Sequence, residues 1–399
     1  MLALADGEAM NPPHASQAAT RWGAMLSVVG LGVAIAIQLG KVPAALTTLA
    51  AEFGQPLAGV TLLVSVFALL SGSVGLPLGL VAARLGARRA LLLGGVVGSL
   101  AAMASAAAPG FGTLLVARVF EGLGFLLIAS SGPGIIAVVA APRHRNAAMA
   151  LWGSYMPMGA ALGLASALVV EAAGWRLAWW LTASVLVAAV LAAGFCLRGV
   201  DGLPRRGVPL GQALRGVLRN PAALAIALCF AAYNGVYFPI SVLLPAALAE
   251  NFGWGVAAAG YAGAAVVLGN GLGNLLAGVL FHRGVAPVRL LLPALGALGV
   301  LAAMVFLAPR AGLMVALAFA AAMLGGMVPA ALFAMLPALV APSMTPAAMG
   351  LLIQANNLVQ LTVPLAMAVL AGFGWFWLAP FMPGFAALAA VLGRPLYRR

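Results

Sequence analysis

Long apolar stretches separated by short, arginine-bearing breaks run along nearly the whole chain. They fall at 23–46, 57–82, 89–108, 111–141, 146–171 and 176–197, and again at 221–249, 255–281, 287–308, 311–340, 346–370 and 374–393. Each reaches the roughly 20 residues that a helix needs to cross hydrocarbon. The pattern predicts an all-α polytopic membrane protein with twelve transmembrane helices in two six-helix bundles. Between the two sets, Arg198 to Asn220 is polar and contains Gly202, Pro204, Gly207 and Pro209, the composition of a loop with room for one surface helix. The expected organisation is a tail (1–22), a first bundle (23–198), a linker (199–220), a second bundle (221–393) and a short final tail (394–399). The opening residues carry Asp6, Glu8, Pro12 and Pro13 and lack a basic segment followed by an apolar core. They read as a cytoplasmic tail rather than a cleavable signal peptide, with Met10 as a second candidate start.

Charge orients these helices. The sharpest break in hydrophobicity is Gly79-Leu80-Val81-Ala82-Ala83-Arg84-Leu85-Gly86-Ala87-Arg88-Arg89, a tight turn with three arginines between two apolar runs. Basic residues stay preferentially on the cytoplasmic side, and an even number of spans puts both termini and the central loop on one side. With these boundaries sixteen of the twenty Lys and Arg residues fall on that side. Lys41, Arg176 and Arg310 fall opposite, and Arg118 lies within a span. The expected location is the inner membrane, with both termini cytoplasmic.

Composition narrows the class further. A chain that is 64% hydrophobic and 7% charged, with mean hydropathy +1.13, cannot cover a soluble globule with polar surface. Its net charge of +13 does not point to nucleic acid, because the arginines are confined to short connections. Cys196 and Cys229 lie in apolar runs without CxxC spacing and read as small buried side chains.

The Gly79–Arg89 turn resembles the signature loop between helices 2 and 3 of the major facilitator superfamily. That loop reads Gly, three residues, Asp, a basic residue, any residue, Gly, then further basic residues. Gly79, Arg84, Gly86, Arg88 and Arg89 match, while Ala83 stands at the acidic position, so the charge pairing of that Asp is not expected. Gly278-Val279-Leu280-Phe281-His282-Arg283-Gly284 occupies the corresponding place in the second half, as paired repeats would have it. Arg118-Val119-Phe120-Glu121-Gly122 is similar to the family's Arg-x-x-acid/Gln-Gly signature, and Gly174-Trp175-Arg176 to the usual start of its sixth helix. The phrases Gln38-Leu39-Gly40-Lys41-Val42-Pro43 and Trp152-Gly153-Ser154-Tyr155-Met156-Pro157 are similar to the cyanate and nitroimidazole transporter branch. The resemblance implies two pseudo-symmetric bundles around a midplane cavity that rock to expose it alternately. It also implies a conformational role for the five matching loop residues.

Few side chains in the spans can carry chemistry. Lys41 costs about 2.5–3.5 kcal/mol on insertion scales if it lies deep. It reads either as a cationic contact for an anionic substrate, helped by Gln38 on the same face, or as a lysine snorkelling to the outer interface. Arg118 and Glu121 share a helix face. They read as a proton-coupling site in which Glu121 protonates, or as a permanent internal ion pair. Asn270 with Asn274, Asn234 with Tyr237 and Ser241, and Gln354 with Asn357 fall at helical spacing, as substrate contacts or interhelical hydrogen bonds. Trp152 and Tyr155 are candidate aromatic walls. Gly153, Gly159 and Gly163, with Pro157 among them, allow close helix approach and a kink.

Other chemistries find no support. Gly269-Asn270-Gly271-Leu272-Gly273 lies inside an apolar run rather than after a strand, and there is neither a P-loop nor a His-Glu-x-x-His motif. His14, His144 and His282 are scattered, so no metal centre, cofactor or catalytic role is expected. The resulting expectation is a monomeric secondary transporter for a small molecule. Its leading form is proton-coupled uptake of a small organic or inorganic anion, because Lys41 has no evident partner while Glu121 has Arg118. The alternative is proton-driven efflux of amphipathic drugs.

Overall fold

The computed structural model describes residues 19–70, 72, 73, 75, 85–141, 144, 148, 151–200, 215–340 and 345–397, and the regular structure among them is helical. The first half contains α1 (Trp22–Gly40), α2 (Leu46–Phe53), α3 (Leu57–Ser65), α4 (Ala87–Ala106), α5 (Phe111–Val139), α6 (Tyr155–Ala165) and α7 (Ala167–Cys196). The second contains α8 (Pro221–Phe252), α9 (Val256–His282), α10 (Pro287–Leu307), α11 (Ala311–Leu339), α12 (Thr345–Ala371) and α13 (Phe381–Leu392). Among the described residues ten stretches are long and apolar enough to cross a membrane. Of the other two predicted spans, the second is described over Leu57–Ala68 and the fifth is divided between α6 and the start of α7.

Prolines and one glycine account for the departures from the predicted boundaries. The first span extends to Phe53 and tightens into a 3-10 turn at Pro43–Ala45, because proline has no N–H to continue the helix. The fifth, predicted as one run over 146–171, is interrupted at Ser154, since Pro157 cannot donate to the Gly153 carbonyl. Ser154 Oγ instead donates to the Leu151 carbonyl at 2.7 Å. The fifth and sixth spans meet without a loop at Gly174, whose φ of +84° breaks the helix in one residue.

The two halves repeat one polar clamp. Trp175 Nε1 donates to Glu52 Oε2 at 2.5 Å, and Trp375 Nε1 donates to Glu250 Oε2 at 3.1 Å. Each clamp ties the end of a half's first span to the start of its sixth. Gly174 and Gly374, both at positive φ, set the two indoles in place. In hydrocarbon, where water cannot satisfy a carboxylate or an indole N–H, such pairing is what lets both groups sit close to the apolar layer. Arg176 Nη1 donates to the free Glu52 oxygen at 2.5 Å and lies over the Trp175 ring.

Packing within the first half depends on small residues. A Cβ on Gly40 would fall 2.1 Å from the Ala160 carbonyl oxygen, and one on Gly163 would fall 2.4 Å from that of Ile37. The α1–α6 contact is therefore backbone against backbone.

Among the described residues the halves share an apolar core at one end. At the Phe53 end, Val42, Leu46, Leu49, Leu63 and Trp179 belong to the same apolar core as the second half. At the Trp22 end the first half keeps a core of its own, including Met25, Leu31, Ile128 and Ile136. Along α1 one stripe loses exposure towards the Phe53 end, from Leu26 at 53% through Gly30 and Val33 to Ile37 at 7%. The result is a cleft between the halves, open at the Trp22 end and closed near Lys41. Glu171 braces the closed end from the first half to the second: its Oε2 accepts the Ala257 N–H at 2.9 Å, at the exposed start of α9.

Because a Cβ at Gly174 meets nothing within 4 Å, its cost is conformational alone. Gly174→Ala should lower the unfolding free energy in detergent by about 1–3 kcal/mol. Gly194→Ala, in a helix and equally unobstructed, should cost nothing or stabilise by up to about 1 kcal/mol. Equal effects of the two substitutions in chemical unfolding would refute this reading of the Gly174 turn.

Candidate functional site

Five predicted spans converge on one carboxylate. Glu121 and Arg118 lie on one face of α5, and Arg118 Nη1 donates to Glu121 Oε2. Glu121 Oε1 accepts from Lys41 Nζ at 2.8 Å and from Ser105 Oγ of α4 at 2.5 Å. Arg118 is held further by the backbone, donating from Nη1 to the Gln38 carbonyl at 2.8 Å and from Nε to the Leu63 carbonyl at 2.9 Å. Both carbonyls lie where a helix loosens, α1 before its turn at Lys41 and α3 before the 3-10 turn at Val66–Ala68, so they are available to an outside donor. Lys41 Nζ sits 4.4 Å from the Trp179 ring centroid of α7, and the Arg118 guanidinium 4.6 Å from that of Phe67.

All three ionic side chains are fully buried. Charges taken out of water persist only when paired and hydrogen-bonded, and here two cations share one anion. The cluster carries one positive charge in excess.

This geometry corrects the reading of Lys41 as a cation without a partner. It neither snorkels to the interface nor presents its ammonium to the cleft. The pairing was invisible in the sequence because helical spacing relates Glu121 only to residues on its own helix, and Lys41 lies on another. The i,i+3 pairing of Arg118 with Glu121 is present as expected.

The remaining candidates divide. Gln38 is buried and its Nε2 donates to the Thr182 carbonyl at 3.2 Å, so it braces α1 against α7 rather than facing substrate. Asn270 Nδ2 donates to the Tyr233 hydroxyl at 2.9 Å and to the Ala322 carbonyl at 3.1 Å, joining α9, α8 and α11. Asn234 and Asn357 are buried and donate to the Phe230 and Ile353 carbonyls of their own helices, both at 2.8 Å. Trp152 is buried in a notch where a Cβ on Gly132 would fall 2.2 Å from its ring. It is a packing residue rather than a wall. Tyr155 and Tyr237 are half-buried. Gly86 caps α4 at φ +88°, with Arg88 and Arg89 in the first helical turn, whereas Gly79 and Arg84 lie outside the described residues.

Two aromatic rows run through the halves. In the first, Phe67, Phe125 and Tyr155 follow at 5.4 and 6.3 Å, and Tyr155 stacks on Trp152 at 4.4 Å. In the second, Phe230, Tyr233 and Tyr237 stack at 5.9 and 6.0 Å, with Phe333 at 5.5 Å from Phe230. Ser105, Trp179, Glu52, Glu171 and Glu250 also hold structural or polar roles that pattern reading missed. The repeated Gly-Trp at 174–175 and 374–375 was the one sequence signal that could have pointed to the two clamps.

The charge count makes the triad's response to substitution asymmetric. Glu121→Gln leaves two buried cations unbalanced and should cost about 3–5 kcal/mol. Lys41→Met leaves a one-to-one Arg118–Glu121 pair and should change stability by no more than about 1 kcal/mol. Unfolding of the two variants in the same detergent checks this; equal losses would contradict the geometry.

Comparison with known proteins agrees with this architecture. Two curated relatives, both named methyl viologen resistance protein SmvA and both from Salmonella typhimurium strains, are 27% identical over 144 residues. The match covers 36% of this chain and 29% of the relative. Among solved structures, a bacterial homologue of the human lysosomal transporter Spinster, in its inward-facing and unoccupied conformation, superposes with a TM-score of 0.71. It is 18% identical, over 94% of this chain and 92% of that one, a likeness of fold alone. The occupied form of the same homologue gives 0.70. The family profile described as Major Facilitator Superfamily matches residues 22–245 and 227–399. With both halves matched and an all-helical, two-part fold, the chain belongs to the major facilitator superfamily and is a membrane transporter, not an enzyme.

Proposed function

We propose that this transporter exports planar, amphipathic organic cations, driven by protons moving in the opposite direction. The observation that carries this reading is the engagement of Lys41 by Glu121, which removes the only lysine as a binding group for an anion. The side chains left partly exposed are aromatic and aliphatic instead: Phe230, Tyr237 and Phe333 in one half, Tyr155 and the Leu26–Val33 stripe in the other. Aromatic faces attract organic cations by about 0.5–2 kcal/mol each and stack on flat rings. The name of the Salmonella relatives, which refers to resistance to a planar dication, favours the same class. Uptake of an anion loses its motive once Lys41 is paired.

Sidedness follows from charge. Arg21, Arg88, Arg89, Arg198, Arg215, Arg219, Arg283, Arg289 and Arg394 all belong to the Trp22 end, so that end is cytoplasmic and the cleft opens inward. The two bundles of a single chain enclose the path, so a monomer suffices. Coupling is electrostatic. Two unit charges about 10 Å apart repel by roughly 1.7 kcal/mol at an effective dielectric of about 20, more than a tenfold change in binding. A cation in the cleft and the excess positive charge of the triad therefore exclude each other. That mutual exclusion is what exchange of a proton for a cation requires.

Cells producing the protein should tolerate several-fold more methyl viologen than cells without it. Inside-out vesicles should accumulate the dication only when their interior is acidified. Uptake of small anions by right-side-out vesicles, without any effect on the dication, would overturn the proposal.

A further inference from the structure

We propose that Lys41 is the group that carries the transported proton, while Glu121 stays ionised throughout the cycle. The inference deepens the export reading above and rests on it for the link to substrate. It stands on the geometry of three side chains.

Protonating Glu121 would leave two buried cations facing a neutral carboxyl. Lys41 and Ser105 donate to one of its oxygens and Arg118 to the other, so three donors from three spans favour the ionised form. Arg118 is excluded for a different reason. A guanidinium does not deprotonate in proteins, and this one is anchored to Glu121 and to the Gln38 and Leu63 carbonyls.

Lys41 differs from both. Its ammonium offers three N–H donors and makes one hydrogen bond, to Glu121, with the Trp179 ring alongside. Release of one proton to water on the cytoplasmic side turns the ammonium into an amine, which can still donate to Glu121, and takes the cluster from one excess positive charge to none. No other group in the cluster can neutralise it in one step. Of the charged groups among the described residues of the elements packed around α1, only Arg118 and Glu121 face Lys41. Glu52 and Arg176 pair with each other, Glu171 accepts from Ala257, and Arg88 and Arg89 lie at the far end of α4.

Position links this proton to conformation. Lys41 follows the last residue of α1, and two residues later Pro43 and Ala44 border a small space shared with Pro245, Ala246, Ala249, Val256 and Ala259 of the second half. Opening the Phe53 end must separate those contacts and move the turn that holds Lys41. The same movement that exposes the site to the other side would thus open the pairing to water. Protonation there restores the excess charge that expels a bound cation.

The chain has a single lysine, so protein grown with lysine labelled at Cε with carbon-13 gives one side-chain resonance. That resonance should move from the ammonium to the amine position within the pH range where the protein stays folded. Saturating methyl viologen should drive it to the amine position at fixed pH. In proteoliposomes Lys41→Arg, permanently charged, should lose all stimulation by a proton gradient. A resonance held at the ammonium position at every pH, with or without the dication, overturns the proposal, as does Lys41→Arg transport that follows the gradient like wild type. A lysine that titrates but ignores the dication keeps the proton on Lys41 and counts against cation export instead.

Discussion

The structure depends on one constraint: an ion inside hydrocarbon must be neutralised and hydrogen-bonded by the protein itself, because no water is there to do it. The Glu121 carboxylate meets that constraint by drawing donors from α1, α4 and α5. Arg118, fixed in turn by carbonyls of α1 and α3, spreads the network to the second span. The first-half bundle is thereby held towards its Phe53 end by directed bonds in addition to apolar packing, which in a bilayer has no hydrophobic driving force behind it. Close approach at Gly40 and Gly163 supplies the rest.

The halves share a skeleton but not a chemistry. Both close their outer corners with a Trp–Glu hydrogen bond set by a positive-φ glycine. Yet α11, which occupies in the second half the place α5 holds in the first, contains no charged residue. Its neighbour α8 contributes stacked tyrosines and Phe230 instead. Among the described residues the buried ion cluster lies in the first half, while the second half has stacked aromatics without such a cluster. On the proposed reading, a substrate cation would thus feel the charge state of the first half across the cleft rather than through direct contact.

Closure at the Phe53 end combines a merged apolar core with the Glu171 carboxylate at the start of α9. Opposite charge at a helix N-terminus is favourable but modest, about 0.3–1 kcal/mol, so it can be made and broken within a transport cycle. Towards the Trp22 end, where the first half keeps a separate core, the described contacts between the halves are slighter, a close approach of Gly72 to the Asn357 backbone and a 3.4 Å hydrogen bond from Gln354 to the Ser73 carbonyl. A two-bundle machine needs this imbalance to face one side at a time.

The run lengths of apolar residues and the clustering of arginines in the breaks determined the helical class, the approximate spans and the membrane setting, because hydrocarbon thickness and backbone hydrogen bonding leave few alternatives. The Arg118–Glu121 spacing and the Gly159–Gly163 face were legible for the same local reason: helical periodicity is written in neighbouring residues. What joins residues on different helices was not. That Lys41 reaches Glu121, that Gln38 and Asn270 brace helices instead of lining a cavity, and that Trp152 fills a glycine notch were decided by how the rods pack. Side-chain partners across a bundle are set by rotation and depth, which periodicity along one helix does not encode.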